Sequence, residues 1–221
     1  MVLPLADGLP TRRKPVVNNA LMIACIAVFL WQLITGHREV DSIRYGFVPY
    51  FLFQGLPGDI DIGGAGPLAT MVTYAFLHGD FWHLAGNILF LWIFGNNVED
   101  ALGHGLYLLF YLFCAVAAAL GEGLVDPLSQ APLIGASGAI SGVLGAYVML
   151  YPRQPVIVLV GFVPLPVPAF LTIGIWFVFQ LLDGVTGAAS AESIAWIAHV
   201  GGFIVGAALI RPFRHQLRPQ G

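Results

Sequence analysis

Apolar residues in this chain come in long, nearly unbroken runs, separated by polar or glycine- and proline-rich breaks. Runs of that length predict helices that are apolar all round, which are buried in a large core or in a bilayer. Six are predicted, over residues 17–36, 81–98, 105–121, 136–151, 168–182 and 194–210. Pro164, Pro166 and Pro168 interrupt any helix before the fifth, so its regular part starts at the last of them. The first connection, residues 37–80, is far longer than most helix links. Tyr45, Phe47, Tyr50, Phe51, Phe53 and Leu56 predict short amphipathic pieces there, lying in a membrane interface. Residues 58–66 read as a glycine- and aspartate-rich turn, and residues 184–191 as a small-residue loop free to move. Glu122, Asp126 and Pro127 are placed in a loop after the third helix.

Composition turns these runs into membrane spans. Only 10% of the 221 residues are charged and 58% are hydrophobic, with a mean hydropathy of +0.83. A soluble domain carries about 25% charged residues. The expected architecture is an all-α polytopic membrane protein. It has a tail at 1–16, a membrane domain at 17–211 and a second tail at 212–221. No basic patch suits a nucleic acid. Cys25 and Cys114 lie within apolar runs and read as packing thiols.

Charge gives the orientation. Six spans put both termini on one side, with Arg12, Arg13, Lys14, Arg153, Arg211, Arg214 and Arg218; only Arg38 and Arg44 fall opposite. Seven of nine basic residues thus predict cytoplasmic termini by the positive-inside rule, in a bacterial inner (plasma) membrane.

Orientation in turn gives the polar residues a depth. His83 and Asn87 follow Asp80 at the outer end of the second span, and His199 lies seven residues past Glu192 in the sixth. Ser137 sits on the first turn of the fourth helix, after Gly135. That helix spans only about 24 Å against a hydrocarbon core of roughly 30 Å, so its glycine-rich start is sunk below the surface. Polar groups inside a span are costly and mark function by default, and four at one depth are hard to explain as packing. Small-xxx-small pairs at Ser137/Ser141 and Gly138/Gly142 explain helix contact but not the histidines.

A serine hydrolase needs a nucleophile, a base in hydrogen-bond reach and donors for the oxyanion. Ser137 and His199 fit the first two roles, and no Asp or Glu is expected at their depth, which predicts a dyad. His83 and Asn87 share a helix face and can donate hydrogen bonds. No histidine is followed by the Glu of a His-Glu-x-x-His zinc site, and Asp183 alone could not form an aspartate dyad. Glu99, at the inner end of the second span, reads as a structural acceptor.

Gly135-Ala136-Ser137-Gly138, Ala198-His199 with Gly201, Gly202 and Gly206, and His78, His83, Asn87 and Glu99 together resemble the rhomboid family of intramembrane serine proteases. The resemblance spans residues 15–212. It implies a rhomboid-like bundle of six transmembrane helices with a membrane-embedded first loop. It further implies Ser137 as nucleophile, His199 as base, and His83 and Asn87 around the oxyanion. Transmembrane protein substrates are implied too, with no cofactor and no metal. Two positions depart from the family pattern. A Trp-Arg pair of the first loop is Ala69-Thr70 here, which bears on how that loop is anchored. A tyrosine one turn after the serine is Ser141, which bears on how His199 is oriented. The non-enzymatic alternatives are a catalytically silent, client-binding relative, which would have lost the serine or the histidine, and a transporter, which would show repeated halves with broken helices.

Overall fold

The computed structural model describes residues 2–56, 63–186 and 196–216. Glu192, most of the 184–191 loop, most of the 58–66 turn and the side chain of Asp183 lie outside the described residues. The chain forms α1 (Val16–Thr35), then three short helices in the first connection: α2 (Arg38–Tyr45), α3 (Pro49–Phe53) and α4 (Pro67–Thr73). The second long element comprises α5 (Phe81–Phe90), one π-helical turn (Leu91–Gly95) and α6 (Asn96–Leu102). The bundle is completed by α7 (His104–Val125), α8 (Ser137–Leu150), α9 (Ala169–Thr186) and α10 (Trp196–Leu209). Among the described residues, α1, α7 and α10 with its extension to Phe213 are each long and apolar enough to cross a bilayer. At 14 residues α8 measures about 21 Å, so it cannot reach both surfaces.

Local chemistry fixes the boundaries. The Asp80 carboxylate accepts the N–H groups of Trp82 (2.7 Å) and His83 (2.9 Å), capping α5 just ahead of the site residues it carries. Gly36 ends α1 in the left-handed region, with its N–H on the Gln32 carbonyl. The third long helix runs four residues past its expected end, so Glu122 belongs to α7 rather than to a loop.

The core is α8. Every residue from Gly138 to Tyr147 is buried, and the helix packs chiefly on α10 and α7. Glycine makes this approach feasible. A Cβ at Gly202 would overlap the Gly138 carbonyl, one at Gly206 the Gly142 backbone, and one at Gly145 the Phe203 carbonyl. Backbones that close gain van der Waals contact where the surrounding lipid offers no hydrophobic drive.

The end of the bundle remote from Ser137 is held by polar groups. Glu99 accepts the N–H groups of Val17 (2.9 Å) and Asn18 (2.7 Å), so a buried carboxylate caps α1. It also pairs with His104. Asn18 donates to the Leu91 carbonyl (2.9 Å) and accepts from Tyr107 (2.8 Å), which places its side chain against the π-helical turn. A side chain bonded into the i→i−4 ladder is a recognised cause of a local irregularity in a helix. The structural role expected for Glu99 is the one seen.

To the helices the structure adds a small antiparallel sheet at this same end, in the order β1 (Val2–Ala6), β2 (Pro155–Val160), β3 (Val163–Pro168). The prolines expected only to break a helix lie in β3, an edge strand. Asp7, just past β1, is buried and accepts from Asn97 (2.6 Å) and Tyr147 (2.8 Å), fixing the first residues onto the bundle.

Candidate active site

At the opposite end, three helices bring their polar residues together. The Ser137 hydroxyl, on the first turn of α8, lies 2.7 Å from Nε2 of His199 on α10. His199 is 8% exposed and Asn87 7%, while Ser137 is half-buried. His83 packs onto the backbone that leads into α8. Gly135 has φ +112°, and a Cβ there would lie 2.5 Å from His83 Nε2 and 3.7 Å from Asn87 Nδ2. The glycine two residues before the serine is therefore needed twice, for its backbone angle and for the room it leaves the imidazole. All four predicted site residues meet around the start of α8. Among the described residues the buried Asn87 Nδ2 meets no hydrogen-bond acceptor, so this donor stands ready for another one.

The loop and the imidazole are held by groups other than those missing at Ala69, Thr70 and Ser141. The Thr70 hydroxyl bonds within its own helix to Pro67 (2.7 Å). Anchoring falls instead to Phe47 and Tyr74. Phe47 exchanges both backbone hydrogen bonds with Leu133 (3.0 and 2.8 Å) and is fully buried. Tyr74 donates to the Ala115 carbonyl on α7 (2.9 Å), and its own carbonyl accepts from Gly135 (2.9 Å). The Ser141 hydroxyl turns back to the Ser137 carbonyl (2.7 Å). The ring facing His199 is that of Trp176 on α9, with centroids 6.1 Å apart and planes at 48°.

The contacts that Trp176 and Glu122 make at the site were not foreseen from sequence. Trp176 resembled any other lipid-facing aromatic, and no local spacing ties it to His199. Glu122 corrects the expectation that no carboxylate lies at this depth. It is buried on α7 and accepts the Ala198 N–H (3.2 Å), docking α10 beside its histidine. His78, outside the spans, stacks edge-on against His83 at 5.2 Å. Burial, with a smaller push from His83, lowers its pKa to about 4, so it stays neutral at ordinary pH. Among the described residues, no three His, Cys, Asp or Glu side chains converge on a metal-sized site.

A helix start carrying a serine in hydrogen-bond contact with a histidine can support nucleophilic attack on a carbonyl. Comparison with known proteins gives the family. A family model described as the rhomboid domain matches residues 65–216. The chain belongs to the rhomboid family. Rhomboid protein 1, mitochondrial, of Saccharomyces cerevisiae is 33% identical over 85% of this chain and 50% of its own. RHOMBOID-like protein 12, mitochondrial, of Arabidopsis thaliana is 29% identical, over 79% of this chain and 55% of its own. Rhomboid protease GlpG of Yersinia pestis is 29% identical over 85% of this chain and 59% of its own. This rhomboid thus spans roughly half the length of the curated relatives it matches. The family is known for intramembrane serine proteases, and the helical membrane bundle described above fits it.

Proposed function

We propose that this rhomboid is an intramembrane serine endopeptidase that cuts transmembrane protein substrates in or near the bilayer, with no cofactor. The single observation carrying this reading is the 2.7 Å contact between Ser137 Oγ and His199 Nε2 at the start of α8. Ser137 attacks the scissile carbonyl while His199 takes its proton. His83 and Asn87, with N–H groups at the α8 start, donate to the oxygen as it becomes negative. The proton then passes from His199 to the leaving amine, and the C–N bond breaks. A water, deprotonated by His199, attacks the acyl-serine; the acyl C–O bond breaks, His199 returns the proton to the Ser137 oxygen, and the second product leaves as a carboxylic acid. Glu122 supports this only indirectly, by fixing the backbone ahead of His199.

Labelling of the solubilised protein by a fluorophosphonate probe tests the reading. Wild type should label and Ser137→Ala should not. Equal labelling of both, or none in a folded wild type, would favour the silent, client-binding alternative. We also propose that the end bearing β1 and the basic residues is cytoplasmic, in a bacterial inner membrane, on the seven-to-two asymmetry. Reporters fused after Val125 should then read as external and those after Arg153 as internal; the reverse pattern would invert the assignment.

A further inference from the structure

Strands β1, β2 and β3 contain no charged or polar side chain, reading Val-Leu-Pro-Leu-Ala, Pro-Val-Ile-Val-Leu-Val and Val-Pro-Leu-Pro-Val-Pro. An antiparallel sheet covering a protein on one face usually turns polar residues outward on the other. Here Val156 and Val158 are fully buried against the bundle, yet the other face of the sheet, which carries Leu3, Ile157, Leu159, Pro164 and Pro166, is apolar too. Toward the hairpin tip even Val160, Val163 and Leu165, which share the face of Val156 and Val158, are 44–56% exposed, and Phe162 at the tip is 98% exposed. An apolar patch of this kind on one end of a protein marks a surface that meets something other than water.

We propose that this sheet lies in the headgroup–acyl boundary of the leaflet on the chain-terminal side, as an interfacial anchor whose partner is the lipid bilayer. Three observations choose lipid. The first is continuity: β3 runs directly into α9, whose exposed Phe170, Leu171 and Ile175 carry the same apolar surface up a helix of the membrane bundle.

The second is the edge. Val160 pairs with Val163 across the two-residue turn Gly161-Phe162, so Pro164, Pro166 and Pro168 occupy the positions whose N–H would point away from β2. An open sheet edge is normally excluded from lipid because its N–H groups find no acceptor. On this edge those three N–H groups do not exist. The carbonyls beside them remain, which places the hairpin at headgroup depth, within reach of water, and not in the hydrocarbon centre. The same prolines remove the donors by which a second copy could extend the sheet.

The third is charge. Arg12, Arg13, Lys14 and Arg153 flank the sheet in sequence, and Arg12 and Arg153 are exposed, as suits anionic headgroups around an inserted apolar patch.

Spin labels at F162C and L165C, with a third at R153C as the reference, would measure this in nanodiscs of phosphatidylethanolamine and phosphatidylglycerol. Side-chain exposure at all three sites makes loss of folding from labelling a minor risk, and circular dichroism would check it. Labelling of the unmodified protein gives the background from the buried Cys25 and Cys114. The ratio of oxygen to nickel-chelate accessibility should be several-fold higher at 162 and 165 than at 153. Equal ratios would put the face in water, open to a soluble protein partner, and overturn the proposal. Labels shielded from both probes, with dipolar broadening lost on dilution by unlabelled protein, would overturn it in favour of a contact between copies. Neither outcome depends on whether Ser137 is a nucleophile, since the readout is depth alone.

Discussion

Helix α10 and helix α9 both bring a ring to the site, but they are held in opposite ways. α10 lies against α8 through glycines whose missing side chains let backbone meet backbone at Gly202, Gly206 and Gly145, and Glu122 fastens its start. α9 meets its neighbours sparsely, largely through tilted aromatic pairs, Trp176 on Phe90 at 5.9 Å and Phe177 on Phe203 at 4.7 Å. Phe170, Leu171, Ile175, Val178, Phe179 and Leu182 on α9 are all exposed within the protein. A backbone interface tolerates almost no displacement, because every shift opens a void or a clash. Ring contacts slide at little cost. The histidine proposed as base therefore rides on the tightly held helix, and α9 is the one whose contacts are sparse.

The sharpest test of the rigid half is chemical. Ser137→Ala and His199→Ala should each remove hydrolysis of a transmembrane substrate, a loss on the order of 10⁴–10⁶ in kcat, and the double variant should be no worse. Cleavage persisting in His199→Ala would mean that α10 does not carry the base. His83 would then be the next candidate.

Next in size are the donors on α5. Asn87→Ala and His83→Ala should lower kcat by about 10–10³ with only a modest fall in melting temperature. Near-wild-type kcat, corrected for folded fraction, would leave backbone N–H groups as the only oxyanion donors.

Gly206→Leu addresses the packing itself. A side chain forced into the Gly142 backbone should cost about 1–3 kcal/mol of stability, read as a lower melting temperature in detergent. The equivalent change on α9, Gly174→Leu, meets open space and should be nearly neutral. Equal effects at the two glycines would dissolve the contrast between the helices.

The smallest effect concerns the loose half. Phe90→Ala removes one ring from the Phe90–Trp176 contact, worth about 0.5–1.5 kcal/mol. If α9 must part from α5 for entry, cleavage of a transmembrane substrate should rise by up to roughly tenfold. A disulfide across the pair in F90C/W176C should slow it. Full activity in the verified cross-linked protein would place substrate entry elsewhere.

Much of the site was legible because depth in a bilayer can be counted. Apolar runs have a length, basic residues have a side, and positions 83, 87, 137 and 199 then fall on one level without any knowledge of contacts. Gly135, Gly202 and Gly206 were readable as small residues, though not which backbone each would touch. Trp176, Tyr74 and Glu122 were not readable, since each acts on a residue far along the chain and on a different helix. Glu122 was misplaced for a local reason. Glycines on either side of it suggested an end to α7, whereas its carboxylate found the Ala198 N–H and the helix continued.

The sheet marks the same boundary from the other side. Alternating prolines state that a helix cannot run from residue 164 to 168, and that much is local sterics. Their place at the edge of a sheet depends on Leu3 facing Leu159 and Ala6 facing Ile157, pairings between segments more than 150 residues apart that no local pattern encodes. Sequence alone determined which segments leave water and which polar residues they carry to a common depth, because transfer free energy is a property of each residue. Tertiary structure decided which groups touch: imidazole to serine, indole to imidazole, strand to strand. Those contacts depend on how separate segments share one small volume.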